Sequence, residues 1–430
     1  MSSTAPGDDV HLDDFGLFDP SVQQCPQAYY ARMRQECPIF FTDAAGIELH
    51  LVTRHADVLE VLRDTDTYSS QFDGGGLPAS GDLRRRLTEL IEDENGYPSV
   101  STLLTADPPE HTRYRKLVNK AFTPRAITSL EPAIRAITTE LIDSFIDQPS
   151  IEFVDRFAVP LPVTTIAKAL NVPDDRLAEF KQWSDDSIAG IGTNISDDQR
   201  VEAQRGVIEF QHYFAAQLDE RRTDPRDDIL TRLLEARIDT DEDPDIPSEP
   251  LSVSEMLSII QQLLVAGNET TTKMLTEMMR LFGENPQQWQ MVRDDPNRAK
   301  AAVEETLRLA TPTQGMWRIV RRDTELGGVS LPAGTRVVAM FTSANRDESL
   351  FDDPDTFDPD RDGLTNQIAF GKGVHYCLGA NLSRLEGTIA LEELSRRIES
   401  FTLADTNTFE YHPSFMLRGL KRLDLEITPA

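Results

Sequence analysis

Cysteine is scarce in this chain: Cys25, Cys37 and Cys377 are the only three among 430 residues. An odd, sparse set builds no disulfide framework, which excludes a small stapled secreted scaffold. Uninterrupted apolar runs of about 18 residues are also missing, so no membrane span is expected. The segment from Met1 to Pro20 is acidic and polar, with neither a basic nor an apolar stretch, and does not read as a secretory signal. Positive charge is in deficit: 43 Lys+Arg face 73 Asp+Glu, a formal net charge of −30 at pH 7. Such a surface repels phosphate backbones and argues against a protein that coats nucleic acid. These absences describe a soluble, cytoplasmic protein with no membrane anchor and no nucleic-acid partner.

Common catalytic signatures are missing as well. No H-E-x-x-H, C-x-x-C, G-x-S-x-G or Walker phosphate loop occurs. Gly74-Gly75-Gly76 follows no convincing strand and opens no clear helix, so the chain shows no nicotinamide or flavin site of its own. Asp239, Asp241 and Asp243 alternate like a calcium loop. However, Pro244 stands where that loop turns on glycine, and Pro250 where it needs glutamate. Cys25 and Cys37 have no histidine at metal spacing and read as structural.

What is present reads as mostly helical. Glu48–Val52 reads as a short strand, Ala56–Arg63 as a helix, and Tyr68–Ser101 as irregular, with a charged insert from Leu83 to Glu94. Helical patterns punctuated by proline run from His111 to Ile238. Ser252-Val-Ser-Glu255 is a capping box that opens the longest helix, ending near Asn285, where Pro286 follows. At 1.5 Å per residue it spans roughly 45 Å. Further helices are expected over Asn297–Leu309 and Asn381–Ile398, and strands over Gly334–Phe341 and Leu417–Ile427. Length alone suggests two or three domains, but no linker separates them.

The most informative segment is Phe370-Gly-Lys-Gly-Val-His-Tyr-Cys377-Leu-Gly-Ala380. Glycines at 371, 373 and 379 let the backbone approach a flat partner, and one cysteine is presented just before a helix, where amides favour a thiolate. A lone cysteine in a tight turn is ordinarily a buried structural residue; the flanking pattern reverses that reading. In the long helix, Ala266-Gly267-Asn268-Glu269-Thr270-Thr271 places glycine, acid and hydroxyl in a helix interior, where a local opening of the hydrogen-bond ladder is expected. Glu305-Thr-Leu-Arg308 is an E-x-x-R pair, commonplace by itself. His111 and Arg115, in Asp107-Pro-Pro-Glu-His111-Thr-Arg-Tyr-Arg115, share one helix face.

Together these segments resemble the cytochrome P-450 superfamily, whose cysteine loop reads F-G-x-G-x-H-x-C-x-G, over nearly the whole chain. The resemblance implies one mainly α domain over residues 1–430 with a smaller β-rich region and a long central helix over the haem, residues 1–25 being loosely ordered. It implies haem b with Cys377 as the iron ligand. His111, Arg115, Arg318 and His375 would hold its propionates, with Phe370 and Ala266 beside it. Thr270 and Glu269 would handle oxygen and protons. Glu305, Arg308 and Arg361 would form a structural triad. The implied activity is hydroxylation of an apolar small molecule (terpenoid, steroid, fatty acid or aromatic) by O2. Electrons would come from NAD(P)H through ferredoxin reductase and ferredoxin, acting on a monomer.

The resemblance also points to a substrate pocket of Gln262, Val265, Ala266, Thr313, Gln314, Met316, Met416 and Leu417. Gln262 and Gln314 would bond a polar group of the substrate. Gln71–Val100 and the helices around Phe180–Phe214 would form a lid. Ordinary core packing is an equal reading for Val265, Met416 and Leu417. No acid occurs from His111 to Leu130. Arg113, Lys116, Lys120 and Arg125 there, with Lys372 and Arg384, are expected to form a basic island that docks an acidic ferredoxin. Two other classes stay open: a haem-thiolate enzyme that is peroxide-driven or acts as a dehydratase or isomerase, and a haem sensor without turnover.

Overall fold

Ser252 opens the longest helix of the molecule. Its Oγ accepts from the Glu255 amide (3.2 Å) while its own amide donates to Glu255 Oε2 (2.7 Å). The helix runs Val253–Glu284, and Asn285 ends it before Pro286 begins the next. The computed structural model describes residues 10–44, 46–71, 81–189, 195–238 and 246–430. The acidic stretch at 239–245 and the glycines at 74–76 lie outside them.

The central helix is buried along much of its length, its polar residues interleaved with apolar ones that join two cores. Its first half, including Met256, Leu257, Ile260 and Leu264, joins one apolar core with Phe180, Phe210 and Phe214. Its second half, Met274, Met278 and Phe282, joins another core with Ile389, Leu391 and Leu394. Helices Pro160–Ala169, Leu177–Ile188, Ala299–Ala310 and Ala380–Arg397 pack against it. Between the cores, at Val265–Thr270, the helix turns one face to open space: Ala266 is exposed in mid-helix. The expected opening at Gly267 is absent. The helix stays continuous, and Thr270 Oγ1 folds back onto the Ala266 carbonyl (2.8 Å).

The β-rich region is smaller. Five strands lie side by side in the order Ile39–Ala44, Ile47–Val52, Arg336–Ala339, Met316–Val320 and Tyr68–Ser69. Only Ile47–Val52 with Arg336–Ala339 is parallel. A second sheet joins Ser150–Glu152, Asp424–Pro429 and Ile398–Leu403. The tail strand is shorter than expected: Leu417 and Leu420 make only isolated bridges, and pairing becomes regular from Asp424.

Two expectations fail on packing. Residues 10–25 are not loose. Phe15, Leu17 and Val22 are buried against Tyr30, Leu49, Leu51 and Phe415. Gln24 exchanges bonds with both backbone groups of Tyr411 (3.1 and 2.7 Å). The charged insert is also no loop but the helix Gly81–Asp93. Leu83 and Leu90 bury one face, and Asp82–Arg85–Glu89 pairs at helical spacing line the other. Among the described residues no helix is long and apolar enough to cross a membrane.

Candidate active site

The cysteine loop depends on two left-handed glycines, Gly371 at φ +67° and Gly373 at φ +75°. A Cβ at Gly373 would lie 2.5 Å from the Leu62 carbonyl oxygen, so no larger residue fits there. The Cys377 amide donates to the Phe370 carbonyl (3.0 Å), closing the loop before helix Ala380–Arg397. Burial pushes the Cys377 thiol up. The Gly379 amide, the Arg115 and Arg384 charges and the Ala380 amide oppose it, each favouring the thiolate.

Beside this loop stands a cluster of basic groups, His111, Arg115, Arg318 and His375, with Asp107 as their one neighbouring acid among the described residues. His111 is buried (2% exposed), and neither ring nitrogen has a partner among the described residues. Its ring lies 4.1 Å from that of His375. Burial, then the Arg115 charge, lowers His111 to about 4. Burial, then His111 and Arg318, lowers His375 to about 3. Arg318 is buried (4% exposed) and, among the described residues, donates only to the neighbouring Trp317 carbonyl (2.7 Å); burial lowers it to about 10. Burial likewise lowers half-buried Arg115. Asp107 is nearby, but its oxygens are taken by Ser69 Oγ (2.5 Å), the Ser70 amide (2.7 Å) and Arg321. Buried cations and an orphaned imidazole in one place call for an anion. His375 differs from His111: its Nδ1 meets the Leu103 carbonyl (3.2 Å) and its Nε2 meets Ser70 Oγ (3.0 Å). It braces the 97–104 segment instead of standing free.

Along the central helix, Ala266 and Thr270 occupy the open face. Glu269 does not join them. It pairs with Lys273 at 2.5 Å, one turn along on another face. Burial pushes the Glu269 carboxyl up, but the Lys273 charge and hydrogen bond, with Lys181 and His412, bring it below the ordinary range.

Both glutamines assigned to substrate have other work. Gln262 accepts from the Leu104 amide (3.1 Å) and donates to Thr102 Oγ1 (2.8 Å), tying the 102–104 strap to the helix. Gln314 is buried, donates to the Thr311 carbonyl (2.6 Å), and lines a small cavity with Tyr30 and Arg418 under the N-terminal segment. Met416 lies in the core beneath the first sheet. Val265, Thr313, Met316 and Leu417 are half-buried, with Thr313 bridged to Leu417.

The expected triad comes together away from this site. Arg308 Nε lies 2.7 Å from Glu305 and Arg361 Nε 3.2 Å, and Glu305 and Arg308 are fully buried. The basic island shrinks. Arg113 is buried and bound to Glu255 (2.9 Å) and the Glu249 carbonyl (2.9 Å), because its helix faces the start of the central helix. Arg384 is matched by Glu304 (2.5 Å), bonds Tyr376 Oη (3.0 Å) and lies 4.5 Å over the Phe370 ring. Lys120 and Arg125 are exposed; Lys116 and Lys372 are half-buried. Sequence reasoning missed Lys273. Its signal was legible: a lysine four residues after Glu269 on an apolar helix.

The cytochrome P450 family description matches residues 197–418. The erythromycin C-12 hydroxylase of Saccharopolyspora erythraea is 38% identical over 86% of this chain and 86% of its own. The steroid C26-monooxygenase of Mycolicibacterium smegmatis is 33% identical over 97% of this chain and 94% of its own. The structure of cytochrome P450 CYP109Q5 from Chondromyces apiculatus superposes with a TM-score of 0.83 at 34% identity, covering 98% of this chain and all of that one. The chain belongs to the cytochrome P450 family and is a monooxygenase of that family.

Proposed function

We propose that Cys377 is the thiolate ligand of a haem lying between the cysteine loop and the open face of the central helix. His111, Arg115 and Arg318 would bind its propionates. The observation that carries this reading is the set of buried basic groups whose neighbouring acid, Asp107, is already bonded to Ser69, Ser70 and Arg321. Carboxylates are what forked and charged donors of this kind bind best. His375 would serve by holding Leu103 and Ser70 in place. Phe370 and Ala266 would bound the haem on its two sides. When bound, the haem would activate dioxygen for insertion of one oxygen atom into a C–H bond.

The protein's own part is to position, to exclude water and to move protons. Thr270 carries a side-chain hydroxyl on the open helix face next to Ala266 and would donate a hydrogen bond there once it releases the Ala266 carbonyl. Glu269 would carry protons inward from solvent. The Glu305–Arg308–Arg361 triad would hold the cysteine-side core. Val265, Ala266, Thr313, Met316 and Leu417, with exposed Leu104, would give the substrate a mainly apolar wall, which supports an apolar substrate of terpenoid, steroid, fatty-acid or aromatic type. Electrons from NAD(P)H would arrive through a ferredoxin reductase and a ferredoxin, at a surface carrying Lys120, Arg125 and Lys372. We place the enzyme in the cytoplasm as a monomer.

The reading is tested with haem-loaded protein, NADPH, a surrogate ferredoxin and its reductase, and a compound panel first screened for a low-to-high-spin shift. Isotope-labelled dioxygen should deliver one labelled atom to the product. Product formed only from peroxide, or without label, contradicts it.

A further inference from the structure

The structure takes Arg384 out of the basic island and gives it other neighbours. It stands early in helix Ala380–Arg397. Its Nε and Nη2 donate to the two carboxylate oxygens of Glu304 (2.5 and 3.1 Å), on helix Ala299–Ala310. Its Nη1 donates to Tyr376 Oη (3.0 Å). Its guanidinium carbon lies 4.5 Å from the centre of the Phe370 ring. Phe370 and Tyr376 meet edge to face at 6.5 Å, so one arginine clasps both arms of the cysteine loop. Glu304 is itself fixed. Gln367 Nε2 donates to its Oε2 (3.0 Å), and Gln367 Oε1 accepts from the Ala369 amide (2.7 Å), next to Phe370 in the chain. A guanidinium whose fork is filled by an acid of its own chain has little left to offer an acid on a partner. Its charge is nevertheless felt at Cys377, where it favours the thiolate.

We propose that Arg384, held over Phe370 by Glu304 and Tyr376, is a tuning residue for Cys377 that raises the reduction potential of the haem bound there, and that Glu304 is its positioning residue. A guanidinium is charged at every working pH. One-electron reduction adds negative charge beside the thiolate, so a nearby cation favours the reduced form over the oxidised one. Arg384 is half-buried, which leaves that field less screened than at an open surface. The charge of Glu304 acts in the opposite sense, so its contribution lies in where it holds the guanidinium. Lysine could not take this place, since it has neither the fork that matches a carboxylate nor a flat face for an aromatic ring. This inference rests on Cys377 as the haem ligand.

The test is an anaerobic spectroelectrochemical titration of haem-loaded protein with small mediators and no ferredoxin. Wild type is compared with Arg384→Met, Arg384→Lys and Glu304→Leu. Arg384→Met should lower the equilibrium constant for reduction about tenfold, a fall of about 59 mV for one electron. Arg384→Lys should recover less than half of that fall. Glu304→Leu should lower the potential as well, because the guanidinium is released to solvent. Loss of a negative charge acting only through space would raise it instead. Glu304→Leu keeps Arg384, so it reports even if Arg384→Met loses haem. An unchanged potential in Arg384→Met, or a raised one in Glu304→Leu, overturns the proposal. Full recovery in Arg384→Lys overturns it too, since charge alone would then suffice. A wild type without the red-shifted Soret band under carbon monoxide overturns the ligand reading instead.

Discussion

Buried residues without matching partners carry most of the functional information in this molecule, and His111 is the clearest case. Its two unpartnered nitrogens and its fall to about 4 go together: it is buried beside Arg115, and the charge of nearby Asp107 offsets this only in part. The unfolded chain takes up a proton near 6.5, and the folded haem-free protein does not until about 4. A depressed histidine pKa contributes stability that is complete above 6.5 and is lost as pH falls towards 4. Urea midpoints of haem-free protein should therefore drop between about pH 7.5 and about pH 5.5, and His111→Gln should reduce that drop. An equal drop in both contradicts the assignment. At Gln262 the expected consequence has changed. Gln262→Leu strands the Leu104 amide and the Thr102 hydroxyl, costing about 1 kcal/mol in urea unfolding. Its effect on substrate-induced spin shifts should come through displacement of the strap, so pairing it with Thr102→Val should add little. Independent, additive effects would restore Gln262 to the substrate.

At the scale of elements, the central helix was legible because its capping box, its length and its Pro286 stop are local signals. The cysteine loop was legible because glycines at fixed spacing leave few alternatives. The helix Gly81–Asp93 was legible but missed: Leu83, Leu87, Leu90 and Ile91 recur at helical spacing, a stripe obscured by the arginines and glutamates between them and by the glycines just before it. The roles of Gln262, Gln314 and Arg113 were not legible. Each sits at a position where the family resemblance suggests function; Gln262 and Arg113 bond to segments remote in sequence, which no local pattern encodes, and Gln314 turns back onto the Thr311 carbonyl. The triad shows the opposite case. Glu305 and Arg308 lie three residues apart, and their burial decides their worth. Removing one partner of a fully buried pair costs about 3–5 kcal/mol. Arg308→Ala should lower the urea stability of the protein by that amount, and a loss as small as that of an exposed pair would contradict the burial.

At the scale of the whole molecule, the net charge of −30 first served to exclude nucleic acid. The structure narrows what it leaves for an electron donor. With Arg113 buried against Glu255 and Arg384 matched by Glu304, the expected basic island keeps Lys120 and Arg125 exposed and Lys116 and Lys372 half-buried. Lys120→Glu with Arg125→Glu should slow reduction by an acidic ferredoxin, more at low than at high salt, in stopped-flow measurements. Arg113→Glu should lower the melting temperature instead, because it sets two carboxylates together at the start of the central helix. A salt-independent slowing in the first variant would remove the docking role.

All three scales converge on Cys377 and what it binds. The most direct test is the absorption spectrum of haem-loaded, dithionite-reduced protein under carbon monoxide. The account predicts the red-shifted Soret band of a thiolate-ligated haem in the wild type and its loss in Cys377→Ala. A wild type that lacks this band, or a Cys377→Ala variant that keeps it, would contradict the account.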